Sequence, residues 1–142
     1  MESQILSQPE SVMTQHTGRL PYHHRSMPFD PLEILEKACH ACETLFPEGI
    51  HDAYLYGSYA RGDFDEESDV DILLAVDVQQ LGEYHAPLAE ITSNLGLEYD
   101  RLISVVIVPW WHLVRYAEVL PFYKNVLKEG LRFDAKGNNQ SF

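Results

Sequence analysis

Three short apolar runs constrain this chain more than any other feature. Ile50–Tyr56 (IHDAYLY), Val70–Val76 (VDILLAV) and residues 102–108 (LISVVIV) are each seven residues long, rich in branched or aromatic side chains, and followed directly by Gly, Asp or Pro. Runs of that length and make-up read as strands of a buried sheet. Helical periodicity fills the stretches around them. Asp30 can accept from the first free N–H groups of a helix, and Pro31 suits its first position because no N–H is needed there. Ile34, Leu35, Ala38, Cys39 and Cys42 then recur at helical spacing until Pro47 and Gly49 end the run. A brief helix or turn is expected at 59–63, and a helix over 81–95 stopped by Gly96. Two more helices are expected over 110–120 and 121–129, the last capped by Gly130. Strands interleaved with helices predict an α/β layer.

A chain of 142 residues is enough for one domain of this kind. Its 45% apolar and 23% charged residues are those of a folded protein. Lys and Arg number 10 against 22 Asp and Glu, a formal net charge of -12. That balance offers no basic footprint for a phosphate backbone, so direct nucleic-acid binding is not expected. It leaves room for a basic protein partner, or for a polyphosphate received locally by a metal and backbone N–H groups. No apolar run approaches the roughly 20 residues of a membrane span, and residues 1–29 contain no apolar core of a secretory signal. Cys39 and Cys42 lie within the expected first helix without a second ligand pair or a thioredoxin-like context, which reads as reduced, partly buried thiols and a cytoplasmic protein.

Residues 1–26 mix Ser, Gln, Pro and His without a sustained period and read as a flexible extension; Met27 could be an alternative start. His16, His23 and His24 fall in that polar tail. Residues 135–142 read as a second flexible tail, leaving 27–134 as the folded domain.

The segment with chemical content is 57–74, GSYARGDFDEESDVDILL. Gly57-Ser58 closes the first strand and opens a turn. A glycine there lets a phosphate approach the backbone, and the turn N–H groups and the Ser58 hydroxyl can donate to it. Further on, Asp69 and Asp71 flank Val70 at the start of the second strand. Residues i and i+2 project to one face, roughly 6.5 Å apart along the strand. Two carboxylates so placed repel each other, and a divalent cation, Mg²⁺ above all, relieves that repulsion. Either motif alone has a plain reading: a common Gly-Ser turn, or a solvated acidic strand entrance beside Asp65, Glu66 and Glu67.

Together, Gly57-Ser58, ten intervening residues and Asp69-Val70-Asp71, with Ala60-Arg61-Gly62 and Ser68 around them, resemble the polymerase-β-like nucleotidyltransferase superfamily. The likeness is to its minimal domains, the antitoxin-type partners of HEPN toxins. It extends over about residues 30–134 and includes the ending PFYKNVLKEGLRF. The resemblance implies a mixed sheet with helices on one face, and Mg²⁺-dependent transfer of AMP from ATP to a hydroxyl, a tyrosine of a cognate HEPN-type toxin, in a hetero-oligomer. It also implies that Gly57 and Ser58 hold the β/γ phosphates and that Asp69 and Asp71 hold the metal. Arg61 could touch phosphate or pair with Asp63 or Asp65. Tyr59 and Ser68 are expected to shape the turn.

The third strand departs from the superfamily pattern, whose full catalysts carry a third carboxylate there. This strand has none: Ser104 could take that place, and Asp100 could reach the site only if the strand began earlier. A nucleotide-binding antitoxin acting by steric occlusion is therefore the alternative, with a small-molecule (aminoglycoside-type) nucleotidyltransferase as a third reading. Trp110, Trp111, Tyr116, Phe122 and Tyr123 read as core or interface residues, and His51 and His112 as structural or surface ones.

Overall fold

The computed structural model describes residues 29–46, 49–78 and 81–133. The expected extension 1–26, Pro47 and the tail 135–142 lie outside the described residues. Helix α1 (Pro31–Cys42) starts as its sequence requires: Asp30 Oδ1 accepts the Leu32 N–H at 2.9 Å, with Pro31 at the first turn. A short 3₁₀ turn, Glu43–Leu45, leads on to β1 (Ile50–Tyr56). The four-residue helix α2 (Ser58–Arg61) follows, then β2 (Val70–Val76). A second 3₁₀ turn precedes α3 (His85–Tyr99), after which come β3 (Ile103–Pro109), α4 (Trp110–Tyr116), α5 (Pro121–Glu129) and β4 (Leu131–Phe133).

The strands form one sheet in the order β3-β2-β1-β4. β1 runs antiparallel to both β2 and β4, whereas β2 and β3 are parallel, joined through α3 as parallel neighbours must be. The sheet is therefore mixed. Its helices, however, cover both faces rather than the single face expected. On one side Ile34, Leu35 and Ala38 of α1 pack on Leu55, Ile72 and Leu74. On the other, Leu113 of α4 with Tyr123 and Val126 of α5 packs on Tyr54, Leu73 and Ala75. β2 is buried from both sides, which explains why its sequence is a continuous apolar run after Asp71 instead of an alternation.

Helix α4 stops at Tyr116, four residues short of the expected 120, and three further expectations change in detail. Helix α3 begins four residues later than 81 and runs through Gly96 to Tyr99. It ends at Asp100, whose left-handed φ of 54° breaks it. Gly96 is needed for space: a Cβ there would lie 2.9 Å from the Arg101 carbonyl oxygen. Gly130 does end α5, but in an extended conformation, φ -75° and ψ 155°. Its bare Cα admits the Val126 and Leu55 carbonyl oxygens, the latter 3.2 Å from where a Cβ would stand. The third difference is β4, which the sequence did not announce. Arg132 Nε donates to the buried Asp52 carboxylate at 2.8 Å and ties β4 to β1.

Candidate active site

Strand register sets the site. Tyr56 on β1 pairs with Asp71 on β2, and Asp71 pairs with Ser104 on β3. Directly paired residues share a face, so Tyr56, Asp71 and Ser104 form a row across the sheet. Two residues further along these strands stand Tyr54 and Leu73, so the row lies on the face that α4 and α5 cover. Ser104 thus lies directly beside Asp71. Because β3 starts at Ile103, Asp100 stays in the turn before the strand.

Gly57 connects the turn to the acids. Its φ of 79° and ψ of -154° are backbone angles that glycine alone adopts without strain. The space above its Cα is filled by Asp71: a Cβ on Gly57 would overlap Asp71 Oδ2 and lie 3.2 Å from Asp71 Cγ. The glycine is required twice over, by its angles and by the carboxylate seated on it. Turn and acid are separated by more than ten residues of sequence and are in contact in space. After the turn, Gly62 takes a left-handed φ of 92°, and its N–H donates to the Ser58 carbonyl oxygen at 2.8 Å. Tyr59 is buried and stacks on Phe64, with ring centroids 4.6 Å apart. Ser68 Oγ accepts the Asp65 N–H at 2.8 Å and closes the loop into β2. Both residues shape the connection, as expected.

The charges are unevenly balanced. Asp69 is exposed just before β2, while Asp71 is half-buried. Burial pushes the Asp71 carboxyl above its usual range, the Asp69 charge pushes it further, and the Arg61 guanidinium partly offsets both. A divalent cation fits that state: two carboxylates, one of them carrying a desolvation penalty, suit Mg²⁺ with its remaining positions open to water and phosphate oxygens. Among the described residues no cluster of three His, Cys, Asp or Glu side chains is placed to hold a metal. Arg61 pairs with Asp63, as the sequence allowed, with Nε donating to Oδ2 at 3.2 Å. It also does something unforeseen. Its Nη1 donates to Glu129 Oε2 at 3.2 Å, and the same oxygen accepts the Gly57 N–H at 3.4 Å.

The remaining candidates are structural. Cys39 and Cys42 are buried free thiols, pushed up to about 12 and about 11 by burial, and therefore unreactive. His51 pairs with Asp77 at 2.8 Å and stacks on Trp110. His112 Nδ1 meets the Tyr123 hydroxyl at 2.7 Å inside the α4/α5 layer. Tyr123 is buried, whereas Trp111 and Phe122 remain exposed. No described helix is long and apolar enough to cross a membrane.

A mixed four-stranded sheet with Asp71 of β2 seated on the Gly57 turn is the frame of the site. The chain belongs to the nucleotidyltransferase domain family, whose model matches residues 35–134. It is similar to two proteins of Methanocaldococcus jannaschii. "Putative protein adenylyltransferase MJ0141" is 38% identical over 76 residues, 54% of this chain and 77% of that protein. "Putative protein adenylyltransferase MJ0604" is 34% identical over 98 residues, 69% of this chain and 92% of that protein. Among solved structures, a mutant of the toxin-antitoxin complex MntA-HpeT is 19% identical with a TM-score of 0.45, matching 73% of this chain and 71% of that chain. A structure described as a putative nucleotidyltransferase from Sulfolobus solfataricus is 20% identical with a TM-score of 0.42, matching 77% and 87%.

Proposed function

We propose that the chain transfers AMP from ATP to a hydroxyl of a protein, a tyrosine of a cognate HEPN-type toxin, and so acts as its antitoxin. The observation that carries this reading is the Asp71 carboxylate seated on Gly57. It supports the reading by putting one carboxylate of the proposed metal-binding pair against the glycine of the proposed phosphate turn. The names of the M. jannaschii relatives support adenylyl transfer and a protein acceptor. In this reading Gly57 and Ser58 cradle the β/γ phosphates, and Asp69 and Asp71 hold the metal. When bound, that metal neutralises the triphosphate and the charge developing on the leaving pyrophosphate. The acceptor oxygen forms a bond to the α-phosphorus as the bond to pyrophosphate breaks, and the hydroxyl proton passes to solvent. Ser104 cannot take that proton near neutral pH, so acceptor positioning in line with the leaving group supplies most of the acceleration.

The test is to incubate the protein with labelled ATP, Mg²⁺ and the product of the neighbouring gene. Label should move to a tyrosine of that product, and the double variant Asp69→Ala, Asp71→Ala should reduce transfer by about a thousandfold or more. Transfer that survives the double variant would overturn the assignment. A serine and not an acid beside Asp71 on β3 favours a second reading, in which the chain neutralises the toxin by occlusion. There the same double variant, shown to be folded, still rescues cells from the toxin; loss of rescue decides for catalysis.

A further inference from the structure

Glu129 is the last residue of α5, and an acid in the last helical turn faces the negative end of the helix dipole. Such a placement needs a compensating partner, and the structure supplies two. The Gly57 N–H and Arg61 Nη1 both donate to Glu129 Oε2, at 3.4 and 3.2 Å. The Glu129 side chain is 25% exposed and that of Arg61 45%, so the pair is partly covered on the Glu129 side and open on the Arg61 side. Its position is dictated by backbone packing. Gly130 donates to the Val126 carbonyl oxygen at 2.7 Å and lies against the Leu55 carbonyl, and β4 then pairs Leu131 with Leu55. The end of α5 is thereby fixed beside the end of β1, and Glu129 is delivered to the turn.

We infer that Glu129 occupies the anion cradle as an internal carboxylate and sets the affinity of the site by competing with the triphosphate. This deepens the nucleotidyltransferase reading above and rests on it. A carboxylate and a phosphate want the same donors: a backbone N–H and a guanidinium, in charge-assisted hydrogen bonds. A triphosphate that takes the Gly57 N–H and Arg61 must displace Glu129, and until it does so it faces a third carboxylate besides Asp69 and Asp71. A residue that instead props the turn open for its ligand would act in the opposite sense, since removing the prop weakens binding. The sign of the effect separates the two roles.

The experiment is calorimetric titration of the full chain with ATP and with inorganic tripolyphosphate, each in excess Mg²⁺. Wild type is compared with Glu129→Gln and Glu129→Ala, and the fold of each is checked by circular dichroism and thermal melting. Both variants should bind both ligands about three- to tenfold more tightly, the scale of one charge-assisted bond exchanged for none. The equal gain for tripolyphosphate places the competition at the phosphates and away from the base. Wild-type uptake of ATP that is unchanged or weakened in the two folded variants overturns the role of Glu129 and leaves the nucleotidyltransferase reading standing. No uptake of either ligand by wild type and by both variants overturns that reading and the inference with it. Uptake by the variants alone supports both.

Discussion

Asp71 carries the least comfortable charge of the site, and its discomfort has a measurable sign. Burial and the neighbouring Asp69 raise its carboxyl above the ordinary value of 3.8, so near that value the native state binds more protons than the unfolded chain. Stability from this group is therefore full below its unfolded pKa, is lost as pH rises through the raised one, and stays lost at neutrality. A neutral side chain of the same shape escapes the penalty. In EDTA at pH 7, Asp71→Asn should melt at or above the wild-type temperature, and added Mg²⁺ should raise Tm in wild type alone. An Asn variant that melts lower in EDTA would show that the carboxylate is held by favourable contacts rather than against repulsion. Legibility at this scale was mixed. Gly57 and Asp71 could be singled out from their types and spacing, and the structure brings these two into contact. Glu129 could not be: it lies more than seventy residues from Gly57 in sequence. Its one local signal, an acid in the last turn of a helix, is too common to interpret without knowing what the helix end faces.

Strand register belongs to the elements, and it turns Ser104 into a test. The parallel pairing of β2 with β3 sets Ser104 directly beside Asp71. Ser104→Asp should therefore set a second carboxylate beside Asp71 in the row, the third with Asp69 counted. Without metal it should cost about 0.2–1 kcal/mol, the range of cross-strand pair effects, read as a lower urea midpoint. With Mg²⁺ the cost should reverse, because three carboxylates hold the cation more tightly than two, and the titrated Mg²⁺ affinity should rise. Unchanged affinity would mean that the serine side chain does not reach the pair. The three main strands were legible because buried strands are written as apolar runs bounded by turn residues. The helix ends were less so. Gly96 looks like a stop, yet it serves close packing against the Arg101 carbonyl, while the true terminator, Asp100, is a non-glycine residue in a left-handed conformation. β4 escaped because three residues, Leu131–Phe133, are too few to show alternation, and its anchor is the distant Asp52.

At the scale of the whole molecule, and on the protein-adenylylation reading proposed above, charge governs how an acceptor arrives. The chain carries a formal net charge of -12, and the acid pair stands at a strand end with Asp69 exposed. ATP with Mg²⁺ bound is itself anionic, so the field of the protein opposes its approach, and the local cradle has to overcome that repulsion. A protein acceptor with a basic surface is drawn in by the same field. The two substrates should therefore respond to salt in opposite directions. Screening contracts the Debye length from about 10 Å at 0.1 M to about 3 Å at 1 M. Across that range the KM for the toxin acceptor should rise severalfold, through slower association, while the KM for ATP should stay level or fall. Steady-state transfer assays over a salt series, each with the other substrate saturating, separate the two. Parallel rises in both constants would argue that salt acts on the cradle itself, through the Arg61–Glu129 contact or the metal. A flat acceptor KM would mean that shape, and not the acidic field, recruits the partner.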